Sequence, residues 1–202
     1  MNPHRRKLLL RSAAAVAATA VCGPAFAIGG DDTSSADLHI ELSAGLDEVA
    51  IRPGAKTRGW RYRAKLLAGA PAALDTSLVA PIIRVHRGQR IRVDLINDLP
   101  ESTIIHWHGL HVPEDMDGHP RFAIAPGERY QYVFTVRNRG GSYWFHPHPH
   151  GRTGKQVYAG LAGLFLVSDD DEAALALPSG AFDMPLVIQD RNFDQDNQLV
   201  YS

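Results

Sequence analysis

Two short stretches of this sequence hold residues suited to binding a transition metal. The first is Ile105-His106-Trp107-His108-Gly109-Leu110-His111-Val112, and the second is Tyr143-Trp144-Phe145-His146-Pro147-His148-Pro149-His150-Gly151-Arg152-Thr153-Gly154. Six of the ten histidines of the chain fall within them, so the clustering is local and not a matter of composition. Each stretch contains His-x-His among aromatic and apolar residues that otherwise read as strand. In extended chain, residues i and i+2 share a face, roughly 6.5–7 Å apart. Two such pairs on neighbouring strands gather four imidazoles around one small volume, a donor set that suits copper, zinc, iron or nickel. A lone histidine in a strand is ordinarily a core or surface residue with a hydrogen-bond partner, and His39 is read that way. Packing does not explain two His-x-His units 40 residues apart. Zinc hydrolysis is disfavoured, since no acidic general base accompanies the histidines at a recognisable spacing.

The elements that must position these residues read as short strands between turns. Leu38–Leu42 alternates, and so do Glu48–Arg52 and Trp60–Lys65, with Pro53-Gly54 as a break between the last two. Ala68–Leu78 is rich in Ala, Gly, Pro and Ser without periodicity and reads as loop. Ile82–Val85 and Arg90–Asn97 flank the turn at Gly88-Gln89, and Pro100 ends the second run. Ser102–Leu110 carries the first histidine pair, Tyr130–Val136 alternates again, and Gly140-Gly141 turns into the strand carrying the second pair. A short helix is expected over Thr153–Tyr158, a last buried strand over Leu161–Val167, and a helical turn or two over Asp169–Leu177. The pattern predicts an all-β, antiparallel Greek-key sandwich over about residues 37–168.

Composition limits the alternatives. With 202 residues, 45% hydrophobic and 21% charged, the chain suits one globular domain plus a short addition. Arg5, Arg6 and Lys7 precede an Ala/Leu/Val run over residues 8–22, too short to span a membrane comfortably, and Ala25-Phe26-Ala27 has the small-x-small form of a cleavage site. Residues 1–27 therefore read as a secretory signal, and the paired arginines favour the twin-arginine route to the periplasm or another exported location. Once residues 1–27 are gone, 17 basic and 22 acidic residues remain, a balance of −5 that gives no reason to expect nucleic acid or an anionic membrane as partner. No membrane span is expected after cleavage. The one cysteine, Cys22, lies inside this leader, so no disulfide framework is expected in the mature chain.

His106-Trp107-His108-Gly109, then Asp117-Gly118, then Tyr143-Trp144-Phe145-His146-Pro147-His148 resemble the first cupredoxin domain of the multicopper oxidases, most closely bacterial laccase-like and cuprous-ion oxidases. The resemblance continues through Gly151–Val157 to Gly160-Leu161-Ala162-Gly163-Leu164 and covers roughly residues 80–192. Two places depart from the family pattern: the long segment before Pro81, and Arg121-Phe122-Ala123 after the Asp-Gly. The resemblance implies a cupredoxin domain over residues 28–170. It further implies a linker and the opening strand of a second, incomplete cupredoxin domain over residues 171–202, the strand being Met184–Arg191.

The same resemblance implies an oxidoreductase that takes single electrons from a reducing substrate, a phenol or cuprous ion, at a type 1 copper and reduces oxygen to water at a trinuclear cluster. His106 matches the type 2 copper ligand, while His108, His146 and His148 match ligands of the type 3 pair. These are half of the cluster's eight histidines, and the other four would come from a last domain outside this sequence. Asp117 matches an acidic residue that assists proton delivery. His111 and His150 match no ligand. A type 1 site needs a cysteine thiolate with two histidines, which the mature chain lacks. The 202-residue chain alone is thus expected to be inactive.

Two readings stand open. One is the amino-terminal part of a laccase-type oxidase that needs carboxy-terminal cupredoxin domains as partners. The other is an exported copper-binding module without turnover. A copper-free relative of the same fold is disfavoured, because it has no use for four aligned histidines.

Overall fold

The computed structural model describes residues 36–76 and 81–201, so the expected signal segment over residues 1–27, with Cys22, lies outside the described residues. The strands are β1 (Leu38–Val49), β2 (Thr57–Ala68), β3 (Leu74–Thr76), β4 (Pro81–His86), β5 (Arg90–Asp98), β6 (Ile105–His108), β7 (Arg129–Thr135), β8 (Gly141–Pro147) and β9 (Gly163–Ser168). Two short helices complete the set, α1 (Thr153–Ala159) and α2 (Asp170–Ala174). One sheet has the order β2-β1-β5-β7, the other β3-β4-β9-β8-β6.

Alternation builds the sandwich. Ile40, Leu42, Ile91, Val93 and Leu95 point inward from β1 and β5, and Ile83, Val85, Phe145, Phe165 and Val167 point inward from the facing sheet. Each strand thereby removes one apolar face from water, at roughly 1.5–3 kcal/mol per large side chain. Among the described residues no helix is long and apolar enough to cross a membrane.

The expected purely antiparallel arrangement is corrected: β1 runs parallel to β5, and β4 runs parallel to β9. Parallel neighbours need a long connection. Here the chain supplies it by passing through the opposite sheet, as in β1 to β5, where the chain follows β2 in the same sheet and then β3 and β4 in the other, with no crossover helix among the described residues. Other boundaries shift as well. Glu48 and Val49 end β1, and Arg52 lies in the β1–β2 loop. The segment Ala68–Leu78 is not all loop, because β3 forms in it and pairs with β4.

The strand expected over Met184–Arg191 does not form. The segment joins no ladder, and Met184, Leu186 and Ile188 stand 81–88% exposed. Its alternation is strand-like, but a strand needs a neighbour to satisfy its backbone, and among the described residues this segment pairs with none.

Candidate metal centre

The four-residue strand β6 lies at a sheet edge and pairs antiparallel with β8, placing Ile105 opposite Pro147, His106 opposite His146, Trp107 opposite Phe145 and His108 opposite Trp144. Period-two alternation then divides the two strands. Ile105, Trp107 and Phe145 are fully buried between the sheets, which leaves His106, His108, Trp144 and His146 on the outer face of the sheet. Trp107 anchors the arrangement, its ring meeting Tyr132, Phe134, Phe145 and Phe165 at centroid distances of 5.3–5.7 Å. A large aromatic locked between the histidines gives them a rigid base. The open edge of β6 is closed by Tyr132, whose hydroxyl accepts from the Ile105 N–H at 2.8 Å and donates to the Ile105 carbonyl at 3.1 Å.

The four imidazoles converge. Ring centroids of His106 lie 5.6, 5.3 and 5.2 Å from those of His108, His146 and His148. His108 and His146 are 5.4 Å apart, with Nδ1 of the first 3.2 Å from Nε2 of the second. Two nitrogens bound at about 2.0–2.1 Å to one tetrahedral ion stand about 3.3 Å apart, so this pair is spaced to share a metal. Nitrogens of His106, His108 and His146 all fall within 4.8 Å of one another. His148 joins by ring contact and not by this tighter criterion, and its Nδ1 is buried without a hydrogen-bond partner. Trp144 closes one side, its ring 4.3 Å from His146 and 5.0 Å from His108.

Hydrogen bonds orient the rings. Nδ1 of His106 meets the Asp117 carbonyl at 2.8 Å, and Nδ1 of His146 meets the Pro147 carbonyl at 2.9 Å. A carbonyl only accepts, so both rings carry their proton on Nδ1 when neutral and leave Nε2 as a free donor to metal. Burial disfavours the charged ring of His146, the Pro147 carbonyl partly offsets this, and the three neighbouring histidines add to it; its pKa falls below the ordinary value. A neutral ring is what a metal needs.

Asp117 follows a 3-10 turn over Glu114–Met116, which the Tyr130 hydroxyl holds by donating to the Asp115 carbonyl. The Asp117 carboxylate reaches within 3.2 Å of His106 Nδ1, and its side chain is 43% exposed. Gly118 makes this approach possible. At φ +74°, a Cβ there would sit 1.8 Å from the Ile105 carbonyl oxygen, so only glycine lets the turn lie against β6.

The remaining histidines among the described residues lie elsewhere. His39 pairs with Asp94 at 2.7 Å on the other sheet, in keeping with a structural role. His111 and His150 are exposed outside the cluster, the loop of His111 being held by Asn138. The supports contributed by Tyr132 and Trp144 carry no signal in spacing alone. Tyr132 acts from the opposite sheet, and Trp144 reads simply as a strand aromatic.

Residues 49–172 match the family described as "Multicopper oxidase". The chain belongs to the multicopper oxidase family. It is similar to "Multicopper oxidase mco" of Staphylococcus aureus, 38% identical over 117 residues that make up 58% of this chain and 26% of that protein. It is also similar to "Cell division protein FtsP" of Xenorhabdus nematophila, 36% identical over 118 residues, covering 57% of this chain and 25% of that one. Among solved structures, the McoA multicopper oxidase from the hyperthermophile Aquifex aeolicus superposes with a TM-score of 0.71 at 38% identity, covering 83% of this chain and 36% of that one. The chain therefore spans about a quarter of the length of the curated relatives it matches. The sandwich is the cupredoxin-like fold of this multicopper oxidase family, and membership implies copper as the metal.

Proposed function

We propose that this chain is the amino-terminal part of a laccase-type multicopper oxidase, supplying half the ligands of a trinuclear copper centre. The carrying observation is the convergence of His106, His108, His146 and His148 on one outer sheet face, with His108 and His146 spaced for a shared ion. The set fits copper. It consists of imidazoles, two of them with Nδ1 on a carbonyl, and it includes a buried His148 nitrogen lacking any protein partner.

His106 is assigned as the type 2 ligand, and His108, His146 and His148 as type 3 ligands. Bound copper would supply the one-electron steps that couple oxidation of a phenol or cuprous ion to reduction of oxygen to water. The protein groups have separate tasks. The Asp117 and Pro147 carbonyls hold the rings of His106 and His146 in one tautomer. The Asp117 carboxylate, partly exposed beside His106, holds a proton at its oxygen and passes it between solvent and the centre. Trp144 screens one flank of the histidines from water.

The outer face leaves the rings open toward a partner surface, and residues 171–202 would serve as the linker to a second cupredoxin domain, in which Met184–Arg191 would gain the strand partner it lacks here. The exposed apolar side chains of Met184, Leu186 and Ile188 support that assignment, since a neighbouring strand would cover them. Export by the twin-arginine route fits Arg5-Arg6 and the apolar run after it.

A second reading is an exported copper-binding module without turnover. The chain's one cysteine, Cys22, falls in the predicted leader, and one relative bears the name of a cell division protein. The deciding experiment mixes this chain with separately expressed carboxy-terminal cupredoxin domains encoded downstream and carrying His-Cys-His. Association with oxidase activity supports the first reading. Indifference between the pieces, with tight copper binding by this chain alone, supports the second.

A further inference from the structure

The β6–β8 ladder holds three of the four imidazoles and stops short of the fourth. Its register ends at Ile105 opposite Pro147, and His148 lies beyond it, where the chain leaves the sheet. One backbone bond, from His148 N–H to the Ile104 carbonyl at 2.9 Å, ties it to the segment preceding β6. What fixes that segment against the chain beyond His148 is a polar cluster between Glu101 and α1.

Gln156, on α1, is fully buried and fully satisfied. Its Oε1 accepts from the Thr103 hydroxyl at 2.8 Å, and its Nε2 donates to the Ser102 carbonyl at 2.9 Å and to Glu101 Oε1 at 3.0 Å. The other Glu101 oxygen accepts from Arg152 and Lys155, each at 2.8 Å. Burial raises the pKa of Glu101, but its bonds to Lys155 and Gln156 and the Arg152 charge outweigh that and hold it below the usual range. The first turn of α1 is tied back in turn, the Arg152 N–H and the Thr153 hydroxyl both donating to the Pro149 carbonyl at 3.2 Å. Residues 101–104 lead directly into His106, and residues 149–156 lead directly away from His148. The cluster thus clamps the outer ends of the two histidine segments together.

We propose that Glu101 and Gln156 act as one unit of positioning residues for the copper centre, setting the place of His148 relative to the three histidines on the ladder. This rests on the copper reading above. Groups that orient metal ligands without touching the metal typically change affinity by about 10–100-fold when removed. Residues acting as a unit are not additive.

The test uses the whole chain in two measurements, long-range 1H–15N spectra of the metal-free imidazoles and Cu(II) titration. The variants are Glu101→Ala, Gln156→Ala and their double, with Glu101→Gln standing in if Glu101→Ala does not fold. Asp47→Ala, which breaks ion pairs to Arg61 and Arg63 on the other sheet, controls for general destabilisation. The His148 ring resonances are expected to move while those of His106 and His146 stay. Copper affinity should fall about tenfold in each single variant and little further in the double. Restoring the acid as Glu101→Asp should recover part of the loss. Unmoved His148 resonances, or an affinity change no larger than that of Asp47→Ala, overturn the proposal. A wild-type chain that binds no copper while its rings respond as expected overturns the copper reading and leaves the clamp on His148 standing.

Discussion

Nδ1 of His108 and Nε2 of His146 face each other across 3.2 Å at the edge of the β6–β8 ladder. His146 spends its Nδ1 proton on the Pro147 carbonyl, so in the metal-free neutral state its Nε2 is a bare acceptor. The contact then carries a single proton, on His108 Nδ1, and a metal ion displaces it. Copper tops the divalent affinity order for such nitrogens. His108→Ala should weaken Cu(II) binding by the chain at least tenfold, and His148→Ala should weaken it too. His39→Ala, whose ring pairs with Asp94 on the other sheet, should leave it unchanged. Calorimetric titration at neutral pH decides, and equal losses in all three variants would refute the assigned ligand set.

The pH dependence follows from His146. Its folded-state pKa lies below the ordinary 6.5, chiefly through burial. Below that ordinary value the unfolded chain binds the proton more readily than the folded one. The contribution of His146 to stability is therefore fully present above about pH 6.5 and is lost as the pH falls toward the folded pKa. His146→Gln should flatten the stability profile over the interval just below about pH 6.5 relative to wild type. Denaturant midpoints measured across that interval check the slope, and parallel profiles would count against it.

Gly118→Ala tests the Asp-Gly turn. The added methyl would meet the Ile105 carbonyl at 1.8 Å in a left-handed backbone conformation. Neither partner is a flexible side-chain end, so the turn must move away from β6, taking the Asp117 carbonyl off His106 Nδ1. A stability loss of about 2 kcal/mol or more is expected, together with weaker copper binding. A variant with wild-type midpoint and affinity would show that the turn does not hold the ring.

Much of the site was legible because strand periodicity is local. The i, i+2 spacing alone puts His106 with His108 on a common face of β6, and Trp107 between them must then point inward, whereas His148 falls just beyond β8 and strand alternation does not set its place. Pairing between the two segments was an expectation that the β6–β8 register bears out. What was not legible came from contacts between distant residues. Nothing in the neighbourhood of Tyr132 shows that its hydroxyl closes the edge of β6, and nothing near Gln156 shows that its amide spans residues 101–103. The parallel pairs β1–β5 and β4–β9 were missed for the same reason, since alternation fixes a strand's face and not its neighbour. Met184–Arg191 shows the converse: a good strand pattern does not by itself secure a partner strand.

Tyr132→Phe isolates that edge closure. The ring and its packing against Trp107 remain, and only the hydroxyl goes. The Ile105 N–H loses its acceptor and the carbonyl its donor, in a fully buried position. A buried backbone group left without a partner costs about 1–3 kcal/mol, and the loss should appear as a lower denaturant midpoint with an unchanged m-value. Because the affected residue adjoins His106, hydrogen exchange should also quicken in β6 before it does in β8. Unchanged exchange at Ile105 would mean that water replaces the phenol without cost.

The last expectation concerns what the chain does alone with copper. The intense blue chromophore of the family needs a thiolate ligand, and the one cysteine of this sequence, Cys22, belongs to the predicted leader. Four imidazoles without a thiolate should give a weakly coloured Cu(II) complex with nitrogen hyperfine structure in its electron paramagnetic resonance spectrum. Copper occupancy should be a single ion or less, and it should fade below about pH 6 as protons compete for the rings. Neither phenols nor cuprous ion should be turned over, because a type 1 site needs a thiolate that only the predicted leader carries, and only half of the proposed cluster is present. Oxygen uptake by the purified, copper-loaded chain with either reductant is the measurement. Sustained uptake that survives His39→Ala and disappears in His108→Ala would place oxidase chemistry in this domain alone and overturn the division of labour proposed for the longer protein.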